Sequence, residues 1–294
     1  MSRRKKFIAA LVALSLLAGA VIWLIPEPPP PPPLPVPNGY DDFVAAGKLV
    51  VGNPPESKET NIQVLRAFLN NNTNALRLLR NGLVRECRVS SLPLKDSPNY
   101  FHDRLRAFKL LAMDLAAEAR LAELEQRTND TVQSYLDEIT FGQQQARGGV
   151  IIDRLTGVAC ENVGSERLAR LVPSLDALIC RTVIIRLETL EVKRESADEM
   201  LTQEAEWRQR SLGWRDKANY VLAFKGMKQL ELSATKKINQ SIRGSRHLLI
   251  DFAVRAYQLE TGKQPKSFAD LVPAYLRSIP VDPETGAALK YSFD

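Results

Sequence analysis

Proline is spread so unevenly along this 294-residue chain that it limits the possible architectures before any other residue is read. Nine of the 18 prolines fall within the twelve positions 26–37, whereas between Pro98 and Pro265 there is only Pro173. Proline has no backbone N–H and holds φ near one value, so it interrupts helices and is kept out of sheet interiors. The first cluster is therefore predicted to be a polyproline II rod, about 3.1 Å per residue or roughly 37 Å over the twelve positions. The long proline-poor stretch repeats its apolar residues at spacings of three and four, which predicts an all-α, multihelical antiparallel domain.

What precedes the prolines sets the expected location. Arg3, Arg4, Lys5 and Lys6 are followed by 19 uncharged residues, Phe7 to Ile25. Nineteen helical residues rise about 28 Å, close to the hydrocarbon thickness of a bilayer. Residues 1–25 thus read as a cytoplasmic tip and a single transmembrane helix. The basic cluster stays inside, and the bulk of the chain is placed on the periplasmic side of a bacterial inner membrane. Cleavage as a signal peptide at the small residues Ala18 to Ala20 is the competing reading, but Val21 to Ile25 carry the apolar run beyond that point. Residues 26–57 read as a Pro-rich stalk and linker, with Gly39, Gly47, Gly52, Pro54 and Pro55 marking a loose lead-in. Residues 58–294 read as the extracytoplasmic helical domain.

Charge gives no reason to expect a nucleic-acid partner. The formal net charge is +6, and without the amino-terminal cluster and Glu27 it is +3 for residues 38–294. A nucleic-acid binder usually carries a clustered basic face. Three cysteines, Cys87, Cys160 and Cys180, permit one disulfide in three possible pairings, or are small buried side chains.

Within the domain, Ile62, Leu65, Leu69, Asn72, Leu76, Leu79 and Leu83 form one helical stripe over 59–83. Asn72 interrupts this stripe: it is suited to fixing register by pairing with another polar group, while the run Asn70 to Asn74 lowers helix propensity and also allows a break there. Phe101, Leu105, Phe108, Ala112, Leu115, Ala119 and Ala122 form a second stripe, over 100–127. A third helix, 131–146 with Asn129 or Asp130 as cap, ends at Gly148 and Gly149. A fourth, 150–172, contains Gly157 and Gly164, which allow close helix packing. Ser174 is expected to cap a helix over 175–193, with Leu178, Ile179, Thr182, Ile185 and Val192 inward. Ser196 is expected to cap the next one, which Gly213 and Gly226 interrupt.

Residues 246–291 form a distinct box. A helix with Leu249, Phe252, Ala256 and Leu259 inward stops at Gly262, and Pro265 prevents its resumption. Ser267 caps a short helix that Pro273 ends. Pro280, Asp282, Pro283 and Gly286 build a turn, and "ALKYSF" is expected to form a short strand containing Tyr291. Tyr257, Gly262, Pro265, Ser267, Leu271, Val272, Pro273, Tyr275, Leu276, Ile279, Pro280, Asp282, Pro283, Thr285, Gly286, Leu289 and Tyr291 together resemble a box that closes many uncharacterised bacterial membrane-anchored helical proteins. The box is also similar to the carboxy-terminal end of type II secretion pseudopilins. That resemblance implies an accessory role in a secretion or pilus-like system. The amino terminus departs from the pseudopilin pattern, because Lys6 precedes Phe7 and the fifth position is Leu11.

No signature of catalysis is present: no HExxH, nucleophile elbow, Walker loop or dinucleotide fingerprint. His247 and Asp251 lie four apart on one helix and are weak candidates for sharing a metal or a proton. His102–Asp103 and Glu204/Glu206 are weaker still, since neighbours one or two apart do not face each other on a helix. Lys236, Lys237, Arg243 and Arg246 make a basic face. No cofactor is expected. The resulting expectation is a membrane-anchored helical scaffold that binds a protein partner, with an envelope hydrolase as the alternative.

Overall fold

A computed structural model describes residues 30–56, 58–90, 100–211 and 224–293, with the side chains of residues 100–102 and 224–226 left aside. The expected span at 7–25 lies outside the described residues, as does Gly213, and the His102 side chain is among those left aside. Among the described residues no helix is long and apolar enough to cross a membrane.

The elements among the described residues are helices: α1 Gly39–Leu49, α2 Ile62–Leu83, α3 Tyr100–Leu124, α4 Thr128–Gln144, α5 Ile151–Leu171, a 3-10 turn Val172–Ser174, α6 Ala177–Val192, α7 Ala197–Ser211, α8 Phe224–Thr261 and α9 Phe268–Leu271. The expected strand reduces to one isolated bridge between Val281 and Ala288.

Helix α1 corrects the sequence reading, which took these residues for a loose lead-in. Asn38 caps it by accepting from the Tyr40 amide, and Tyr40, Phe43 and Ala46 are buried in a core shared with α2 and α3. Its glycines are there for approach, not for looseness. A Cβ on Gly39 would sit 2.5 Å from the Gly82 carbonyl oxygen. Edge-to-face contacts link Tyr40 to Phe108, Phe108 to Phe141 and Phe141 to Phe43, a geometry aromatic quadrupoles favour. The α2 stripe is buried from Leu65 to Leu83, with Ile62 partly buried at its start, and Asn72 does not break the helix. Its side chain accepts from the Val51 amide at 2.8 Å and donates to the Val51 carbonyl at 3.1 Å, tying down the chain that follows α1.

Helix α4 is the centre of the molecule. From Thr131 to Gln143 every residue but Gln133 is buried, polar ones included. Its neighbour α5 approaches closely because Gly157 lies against the Gly142 carbonyl and Gly164 against the Tyr135 carbonyl. The helix begins at Thr128, with neither Asn129 nor Asp130 as cap.

Helix α6 was expected to be capped by Ser174 and is capped by Asp176, which accepts from the Ile179 amide at 2.8 Å. Its inward face also differs. Cys180, Val183, Ile184, Leu187 and Leu190 are buried, whereas Leu178, Ile185 and Val192 are 77, 59 and 78% exposed. Ser196 does cap α7, in a reciprocal pair with Glu199. Gly226 lies within α8, which runs unbroken for 38 residues, about 57 Å. Leu249, Phe252 and Ala256 of α8 are buried and Leu259 is exposed.

Candidate functional site

The carboxy-terminal box folds back on α6 and α8 and fills out the largest core with Leu271, Tyr275, Leu276 and Leu289. Gly262 and Gly286 take φ of 68° and 69°, values a residue with a Cβ rarely adopts. Pro265 and Pro280 are buried, and Pro273 follows a cis bond. Asp282 organises the turn preceding Tyr291, with Pro283 as its next residue: its Oδ1 accepts from the Glu284 amide at 2.9 Å and the Thr285 amide at 3.1 Å. Its Oδ2 accepts from Arg243 at 2.8 Å. The Arg243 guanidinium and then these amides hold its carboxyl at about 2, below the ordinary range. Arg246 donates to the Val281 carbonyl and to Glu191. Two members of the expected basic face are therefore ligated within the molecule.

His247 and Asp251 both line a groove of about 570 Å³ between α5 and α8. The structure brings Tyr291 to them. The Tyr291 hydroxyl donates to Asp251 at 2.8 Å, and its ring lies tilted over His247 at 6.2 Å between centroids. Burial raises the Asp251 carboxyl, against the opposing pull of the Tyr291 hydroxyl and of His247. Among the described residues no group of three His, Cys, Asp or Glu side chains is placed to hold a metal ion. Glu204 and Glu206 do not act together. Glu204 accepts from the Ile151 amide and from Arg208, closing the start of α5, while Glu206 pairs with Arg210. The three cysteines are buried and free of disulfides. Burial pushes the Cys87 and Cys160 thiols up to about 12 and Cys180 to about 11, so none is a ready thiolate nucleophile.

A buried ion network joins the helices to the box. Glu161, 2% exposed, accepts from Arg154 at 3.1 Å and Arg194 at 2.6 Å. Arg194 also holds Glu191 at 2.6 Å, and Glu191 holds Arg246.

A second groove, about 780 Å³, runs between α3 and α5 over the buried α4. Ala112, Met113 and Ala116 form one wall, and Leu155, Ala159 and Val163 the other. Arg120 and Arg167 line it at one end, and Glu138 lines it from α4. Glu138 is 1% exposed, and its Oε2 has no hydrogen-bond partner among the described residues. Burial pushes this carboxyl up to about 8, against the attraction of Arg167. Asp114, also buried with both oxygens unpartnered among the described residues, is pushed up to about 7 by burial and then by Glu118. Leu65, Leu105, Ala112 and Cys160 of this groove were read from the sequence only as helix-stripe or buried residues, and its charged members were not singled out. A carboxylate at position 138 looks like an ordinary solvated helix residue, and only the enclosure of α4 on all sides makes it a buried one.

Comparison with protein-family models, with curated proteins and with solved structures finds no match.

Proposed function

We propose that this chain is a single-pass, membrane-anchored helical scaffold whose body lies outside the inner membrane and docks a partner helix along α6. The anchor and its orientation rest on the basic, apolar and proline-rich order of residues 3–37. The observation that carries the scaffold reading is the outward face of α6. Leu178, Thr182, Ile185, Thr189 and Val192 repeat at spacings of four and three and are all exposed, the spacing of a helix–helix seam. The two threonine hydroxyls turn back to the Leu178 and Ile185 carbonyls at 3.0 and 2.7 Å. Their hydrogen-bonding demand is met inside the helix, so a partner need not supply polar groups there.

The test uses the full chain in its native membrane, with a photo-crosslinking amino acid at position 185 or, as control, at the exposed Lys228. A discrete adduct at 185 whose crosslinked partner peptide is helical and apolar at three-four spacing is expected. Adduct formation equal at the two positions, or none at 185, overturns the docking face. A carboxy-terminal reporter active only in the cytoplasm overturns the placement.

A further inference from the structure

The α3–α5 groove combines three properties that packing alone does not require. Its walls are made of small and apolar side chains, so its middle offers little to a polar solute. From Leu105 to Arg120 it follows sixteen residues of α3, about 22 Å from first to last. One end is polar and biased to positive charge. There Arg120 donates to Glu123 at 3.0 Å, and Glu123 accepts from the Tyr135 hydroxyl at 2.6 Å. Arg167 lies near enough to that hydroxyl to act on it electrostatically, so the two guanidiniums share one end of the groove. Each guanidinium has five N–H donors and spends few of them here. Glu138 stands one turn along α4 from Tyr135 and lines the groove, with its buried Oε2 unpartnered among the described residues. Two guanidiniums against the single charge of Glu123 leave room for one more anion, and a protonated Glu138 is a donor to it. The remaining acid on the lining, Glu56, is exposed, as are Arg106 and Lys109, so the rim too is net positive.

We propose that this groove binds a long-chain fatty-acid carboxylate, its head at Arg120, Arg167 and Glu138 and its chain along the alanine and valine walls. A long apolar trough closed by a positive end discriminates on two counts. A short carboxylate forgoes the burial of the chain, and a cationic amphiphile meets the guanidiniums head-on. The inference is independent of the anchor and of the α6 face, since the head site and both walls lie on α3, α4 and α5.

The test is photolabelling of the full chain, held in an amphiphilic polymer, with a diazirine-bearing hexadecanoate below its micelle-forming concentration. Label is expected in peptides covering 105–120 and 155–167, competed by hexadecanoate and at least about tenfold less well by hexadecanol or hexadecyltrimethylammonium, a factor that corresponds to one charge-assisted contact. The double variant Arg120→Gln, Arg167→Gln is expected to raise the half-competing concentration about tenfold or more. Val163→Trp, placed at an exposed position on the wall, is expected to abolish labelling with helix content and melting temperature unchanged. Label confined to other peptides, equal competition by the alcohol or the cation, or a Val163→Trp protein labelled like the parent would each overturn the proposal.

Discussion

Two glutamates on adjacent central helices are equally shut off from water and are treated in opposite ways. Glu161 on α5 is met by Arg154 and Arg194, and through Arg194 it is joined to Glu191, Arg246 and the carboxy-terminal box. Glu138 on α4 has an oxygen with no partner among the described residues and opens on an apolar groove. Taking a charge out of water costs several kcal/mol unless partners restore it. The first site restores it and so works as a strut. The second keeps its proton instead, and the unused hydrogen-bonding capacity is what marks it as a place for something else to bind.

That contrast can be broken most forcefully at the strut. Arg194→Ala leaves Glu161 and Glu191 short of a partner, and a loss of about 3–5 kcal/mol in urea unfolding is expected. A loss under about 1 kcal/mol, the range of exposed pairs, would show that water reaches the network and that the two glutamates are alike. Next in size is the close approach that excludes water from both. A Cβ on Gly157 would lie 2.3 Å from the Gly142 carbonyl oxygen, so Gly157→Ala is expected to cost about 1–3 kcal/mol by overpacking.

The pH dependence sharpens the same contrast. Glu138 titrates at about 8 in the folded protein, above the ordinary carboxylate range, with Arg167 opposing the shift. The folded state therefore holds a proton that the unfolded chain releases earlier. The associated stability is fully present below the ordinary range and is lost as pH rises through about 8. Glu138→Gln is expected to unfold at higher urea than the parent at pH 9, by on the order of 2 kcal/mol, and to match it at pH 4. Asp114, raised to about 7, acts in the same direction, so the variant still softens somewhat on the alkaline side. The smallest effect is expected at Ile185→Ser on the outward face of α6, within about 0.5 kcal/mol in thermal or urea unfolding. A larger loss would mean that the face is covered.

Much of the helical plan was legible. The stripes of α2 and α3 gave their helices and inward faces because one side of each is apolar and the other is not. Asn72 was readable as a register-fixing polar group, and Gly157 and Gly164 as points of close approach. Three things were hidden, each for a physical reason. Helix α1 is short and holds two glycines, so its local signal is weak, and its stability comes from Tyr40 and Phe43 entering a core built by distant residues. Helix α6 is apolar on nearly all sides, so periodicity cannot tell which stripe faces in, and the expected choice of Leu178, Ile185 and Val192 fell on the outer one. The α3–α5 groove is a gap between surfaces, written in alanines and a valine that read equally well as core.

One detail at the chain's entry has a mechanical consequence. The Asn38 side chain donates to the Arg88 carbonyl at 2.8 Å and accepts from its amide at 3.0 Å, and the Gly39 amide bonds the Glu86 carbonyl at 2.9 Å. The last proline, Pro37, is therefore followed at once by a riveted joint rather than a swivel. A pull or twist applied to residues 30–37 would be delivered straight into the aromatic core, and the body would turn with that segment as one piece.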